Sequence, residues 1–156
     1  MFLWPHISPL GLLLVVVVVT TLAMTLTALG RRSRRSELAA LARQWRMNYT
    51  PRDTFNLAAR IAPHLPVPGA ADISVCDLIY GTEEAQHRYI FSAEYTVGIV
   101  RAKRRERCVM CVSEPRGRGG DLPPSASSLR IARQDLPLMD QYRSLHGAEG
   151  AKPVAK

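Results

Sequence analysis

Two thiols three residues apart, Cys108 and Cys111, are the pairing with the most chemical potential in this chain of 156 residues. A CxxC pair can be half of a zinc site or a redox couple. Zinc requires a second pair or histidines at ligand spacing, and neither accompanies Cys108-Val109-Met110-Cys111; Cys76 stands alone. A redox couple requires a helix N-terminus to lower one thiol pKa. Cys108 to Ser113 instead reads as a strand, in which an offset of three sends the two side chains to opposite faces. The expectation is therefore structural cysteines, with no metal and no cofactor.

Other candidates for chemistry are as sparse. His6, His64, His87 and His146 are scattered along the chain. No nucleophile has a recognisable elbow around it, and no pair of carboxylates stands out. Asp53 reads as a helix cap, and Gly117, Gly119 and Gly120 lack the strand-to-helix context of a phosphate loop. These residues predict a protein that is not an enzyme.

Charge carries more. The net charge of +8 is concentrated in two places. Arg31, Arg32, Arg34 and Arg35 supply one cluster, and Arg101, Lys103, Arg104, Arg105 and Arg107, with Glu106 among them, supply the other. Elsewhere basic and acidic residues cancel, so the pI of 10.0 describes two patches rather than a whole surface. The second patch, at 101–107, is read as a hairpin tip that is either a solvated loop discouraging edge pairing and aggregation or a contact for an anionic partner: lipid headgroups or an acidic protein, ahead of nucleic acid. Nucleic-acid binding would call for aromatic residues among the arginines, and 101–120 holds none.

The first patch follows a membrane-type segment. Leu10 to Leu29 is 20 residues without an ionisable side chain. At ~1.5 Å per residue a helix of this length covers about 30 Å, the thickness of a bilayer's hydrocarbon. Its seven Leu and five Val favour insertion by about 4–7 kcal/mol on a helix-centre scale. A cleaved signal peptide places its positive charges ahead of the apolar stretch; here they come after it. Arginines beside a span stay on the cytoplasmic side. The chain should therefore sit in the cell membrane by a single pass, with residues 1–9 outside, 10–30 spanning, and the rest cytoplasmic. The Arg31–Arg35 cluster is then the topology determinant, facing lipid. Three cysteines, an odd number, fit a reducing compartment better than a secreted disulfide scaffold.

Elements able to position a site can be read from the remainder. Leu38, Leu41, Ala42 and Trp45 recur at helical spacing over 36–48, with Gly30 as a weak joint to the preceding helix. Thr50-Pro51-Arg52-Asp53 has the pattern of a helix start, with Thr50 as cap and Pro51 in the first turn. Ile73 to Tyr80 is apolar on both parities except at Ser74 and Asp77, and 81–85 reads as a hairpin loop. His87 to Val100 alternates, placing Tyr89, Phe91, Ala93, Tyr95 and Val97 on one face. The basic run 101–107 makes the next turn and Cys108 to Ser113 a third strand. Leu129 to Ile131 adds a short edge strand, 136–145 a last helical turn or two, and 146–156 a disordered tail.

The motifs Trp45-x3-Tyr49-x3-Asp53-x-Phe55, Ile79-Tyr80-Gly81 and Phe91-x3-Tyr95-Thr96-x-Gly98 resemble a group of bacterial membrane-anchored proteins of unknown function. The likeness covers roughly 37–113. It implies a helix pair followed by a small β-meander at a membrane, and carries no catalytic residues. The expectation is thus an α+β protein: an N-terminal transmembrane helix, then two amphipathic helices and a three- to four-stranded antiparallel meander over 36–145, with the two helices covering its one apolar face. The function expected is a membrane-anchored interaction or scaffold domain. The alternatives are a membrane-tethered nucleic-acid-binding module and an enzyme with an unrecognised site.

Overall fold

A computed structural model describes residues 9–67, 69–83, 85–98, 103–115, 128–147 and 152–153. The chain divides into two compact units, Met1–Glu37 and Leu38–Lys156. The first is made of the helix α1, Pro9–Gln44, whose last turns belong to the second unit. This is the one helix among the described residues long and apolar enough to cross a membrane. Its Leu and Val side chains from Leu10 to Leu29 are exposed all round. Thr20, Thr25 and Thr27 return their hydroxyls to Val16, Leu22 and Met24 carbonyls at 2.8 Å, so their polar groups are satisfied within the helix. The helix runs through Gly30 without a break, so the amphipathic stretch continues directly from the apolar one.

α1 ends where Arg46 adopts a left-handed conformation, φ 57°. The Met47 N–H reaches back to the Ala42 carbonyl at 2.9 Å and the Arg46 N–H to Arg43 at 3.1 Å. This paired pattern is a Schellman stop, and it turns the chain directly into a strand.

The second unit is an antiparallel sheet in sequential order. Its strands are β1 Asn48–Arg52, β2 Ala71–Glu83, β3 Gln86–Val97, β4 Arg104–Pro115, β5 Leu129–Ile131 and a two-residue β6, Lys152–Pro153. α2, Leu57–Ile61, with a 3-10 turn at Ala62–His64, lies between β1 and β2, and α3, Leu138–His146, follows β5. The sheet is covered on both faces. On one, Leu38, Leu41 and Ala42 of α1 and Tyr142 and Leu145 of α3 join Ile79, Ile90, Val109 and Cys111. On the other, Leu57 and Ile61 of α2 join Leu78, Phe91, Ala93, Tyr95, Cys108, Met110 and Val112.

Four sequence expectations need correction. Thr50-Pro51 does not begin a helix, because Asn48 to Arg52 pairs with Tyr80 to Cys76. Proline is tolerated there since β1 is the sheet edge. The helix starts later, at Leu57, where the Asp53 carboxylate accepts the N–H groups of Leu57 and Ala58 at 2.9 Å and of Phe55 at 3.2 Å. Asp53 is a cap, though not at the expected place. Second, helices cover both sheet faces rather than one, because β2, β3 and β4 each bury consecutive residues. Third, the meander has more than four strands. Fourth, some residues assigned to the tail take up secondary structure: His146 closes α3, and Lys152–Pro153 pairs with Ile131 and Arg130.

Candidate functional site

The polar residues gathered most tightly lie where β2 departs from regular pairing. Cys76 opposes Ser92 and Ile79 opposes Ile90, so β2 spends one residue more than β3 over this interval. That is a β-bulge, and Asp77 carries it with φ 55°, a left-handed conformation that Asp tolerates better than most side chains. The extra residue shifts the alternation. Ile73 and Val75 before it, and Leu78 and Tyr80 after it, all pack into the same cluster.

Asp77 is 2% exposed. One carboxylate oxygen accepts the Tyr49 hydroxyl of β1 at 3.0 Å, and the other accepts the Arg107 guanidinium of β4 at 3.1 Å. Its backbone carbonyl accepts the Tyr142 hydroxyl of α3 at 2.7 Å, and that hydroxyl also lies 3.1 Å from Ser92 Oγ. Burial pushes the Tyr142 phenol well above the usual tyrosine range. Arg107 Nε lies 3.8 Å from Glu94, and Arg105 meets the other Glu94 oxygen at 2.9 Å. The Cys76 sulfur is 3.8 Å from Arg107 and 3.9 Å from Glu94. Two carboxylates thus face two guanidiniums. Each acid is engaged by a cation, so the arrangement is suited to holding β1, β2, β4 and α3 in register.

This geometry changes the reading of the second basic patch. Arg101 lies outside the described residues. Lys103 is exposed just ahead of β4. Arg104 to Arg107 are strand rather than turn, opposing Val97, Thr96, Tyr95 and Glu94 in order. Strand alternation therefore divides them between the two faces. Arg104 is 82% exposed and 3.8 Å from Glu106, Arg105 is 67% exposed, and Arg107 is 27% exposed beside Asp77. Among the described residues, Lys103, Arg104 and Arg105 stay exposed while Arg107 turns onto Asp77. Arg31, Arg32, Arg34 and Arg35 all lie on α1, with Arg34 half-buried and the other three exposed.

Cys108 and Cys111 fall in separate clusters on opposite sheet faces. Burial pushes the Cys108 thiol up to about 11 and raises that of Cys111 as well. Thiols so held resist forming the thiolate that metal binding or exchange requires. Among the described residues, no group of three or more His, Cys, Asp or Glu is placed to hold a metal.

Two further constellations escaped the sequence reading. The His146 ring stacks on Trp45 with centroids 4.0 Å apart and planes within 8°, and its Nε2 is 3.2 Å from the Glu83 carboxylate. Arg88 pairs with the same carboxylate and donates to the His146 carbonyl at 3.2 Å, which ties the end of α3 to β2 and β3. On the opposite face, Arg60 of α2 forms a buried ion pair with Glu114 of β4. Burial and the Glu114 charge raise the nearby Tyr89 phenol. The one advance signal for the first network was the change of phase between Val75 and Leu78, with an Asp at the break.

No family model matches the chain, and no curated protein or solved structure matches it.

Proposed function

We propose that this chain is a single-pass membrane protein whose small α+β domain works on the cytoplasmic side as an interaction module. The observation that carries the reading is the stretch Leu10 to Leu29, whose leucines and valines are exposed around the whole helix. A helix apolar on every side requires lipid or a protein interior as its solvent, since water leaves no face satisfied. The arginines that follow it, and their absence from residues 1–9, favour an outward N-terminus. The motif resemblance to bacterial membrane-anchored proteins points the same way. Of the basic run on the domain, Lys103, Arg104 and Arg105 are the described cations that stay exposed to an anionic partner, lipid or acidic protein, because Arg107 is drawn onto Asp77.

A second reading has specific support: an N-terminal apolar helix of this kind also serves as an export signal. One set of measurements separates the two. Under the anchor reading the full-length chain resists carbonate extraction, keeps its N-terminal residues by mass, and activates a cytoplasmic reporter fused after Lys156. A mature product cut near Ala28 to Gly30, or a reporter active only outside, overturns it. For the interaction surface, replacing Lys103, Arg104 and Arg105 with Ser should weaken binding to anionic liposomes or an acidic partner while leaving the fold intact. Unchanged binding removes that surface from the proposal.

A further inference from the structure

We propose that one face of α1, where its apolar stretch meets its arginines, binds the headgroup of a single anionic phospholipid; this rests on the membrane-anchor reading above. Met24, Thr27, Ala28, Arg31, Arg32 and Arg35 line a recess of about 480 Å³. Positions 24, 27, 28, 31 and 35 recur at helical spacing and so share a face. The lining is ordered along the axis, with Met24 and Ala28 at the apolar end and three guanidiniums at the other. Thr27 gives its hydroxyl to the Met24 carbonyl at 2.8 Å, so the donors offered to an outside group are the arginines.

Such a lining recognises a ligand built the same way, apolar at one end with several anionic oxygens at the other. Guanidinium matches phosphate oxygens in pairs, which an ammonium does not. Inorganic phosphate satisfies the cationic end and leaves Met24 and Ala28 unmatched. A zwitterionic lipid brings its own cation against three guanidiniums. An anionic phospholipid satisfies both ends, and three positive charges favour a dianionic headgroup over a monoanionic one. Arg34, a few residues away in the same cluster, is outside the lining and half-buried. It provides an internal control of equal charge.

The test places the full chain in phosphatidylcholine nanodiscs containing a minority of spin-labelled anionic phospholipid and measures its relative association with the protein. The wild type should prefer dianionic over monoanionic over zwitterionic lipid. R31Q and R35Q should each lower the dianionic preference about fivefold, equivalent to the ~1 kcal/mol that a hydrogen bond lost from the site typically costs. R34Q should change it less than about twofold. Equal losses for R34Q and R35Q would overturn the site, leaving only attraction by net charge. Binding of inorganic phosphate alone, in pure phosphatidylcholine discs and with the same dependence on Arg31 and Arg35, would overturn the lipid assignment. Carbonate extraction of the same variants separates the two levels. Release of the chain refutes the anchor and this site together, whereas retention without lipid preference refutes the site alone.

Discussion

Replacing Arg107 by Met should destabilise the domain far more than replacing Arg105 by Ser, although both arginines come from one basic run. Asp77 is 2% exposed and meets Arg107 at 3.1 Å. Removing that guanidinium takes away the cation that lies 3.1 Å from Oδ2 of this buried carboxylate. Breaking a buried pair costs about 3–5 kcal/mol. Arg107 itself is 27% exposed, so the lower end applies and about 2–3 kcal/mol is expected. Arg105 is 67% exposed against Glu94, and an ion pair of that kind contributes about 1 kcal/mol or less. Chemical denaturation of the full chain in mild detergent, followed by circular dichroism, measures both. Asp77→Asn keeps a side chain that accepts the left-handed backbone, so the double variant with Arg107→Met closes a cycle. A coupling of about 1.5–2 kcal/mol is expected for partners in direct contact. If R107M costs no more than R105S, or the coupling is under about 0.5 kcal/mol, Asp77 is not held by Arg107 and the account of the bulge fails.

Two further outcomes follow from local geometry. Arg46 occupies the left-handed stop of α1 at φ 57°, where glycine carries no Cβ penalty. R46G should therefore raise stability by about 1 kcal/mol, seen as a higher denaturation midpoint at unchanged slope. Burial holds the Cys108 thiol at about 11, above the ordinary thiol value of 9.0, and the Tyr95 phenol at about 12, above the ordinary 10.0. The folded state keeps these protons where the unfolded chain has lost them. Their stabilisation is complete below pH 9 and declines through the folded values as pH rises, by up to ~1.4 kcal/mol per pH unit for each group. Alkaline denaturation should show that decline, and C108A should flatten its first part.

The parts of the fold legible in advance were those governed by one rule at a time. The alternation of Tyr89, Phe91, Ala93, Tyr95 and Val97 placed that face correctly, and all five side chains pack into one cluster. Cys108 and Cys111 separated onto opposite faces as the period of a strand demands. Failures came where two rules competed. Thr50-Pro51 carries a good helix-start pattern, but pairing with β2 outweighs a local preference worth about 1 kcal/mol. The run from Arg101 looks like a solvated turn by composition. Yet Glu94 and Asp77, distant in sequence, draw Arg105 and Arg107 into a strand. The network around Asp77 joins residues from Tyr49 to Tyr142, and only tertiary structure brings that span together. Two glycines, Gly98 and Gly81, have local reasons. Gly98 sits at φ 111°, and a Cβ on Gly81 would stand 2.7 Å from the Met47 side chain.

The division of α1 between the two units has a consequence for proteolysis. Leu38, Leu41 and Ala42 are interior residues of the sheet domain although they belong to the same helix as the apolar stretch. A protease cutting between Gly30 and Glu37 would shed a body with its interior complete. One cutting after Arg43 would release a sheet stripped of part of one cover, with Ile79, Ile90 and Val109 losing neighbours that kept them dry. Where the chain is nicked therefore decides whether the freed piece persists as a soluble fragment or is cleared as damaged protein.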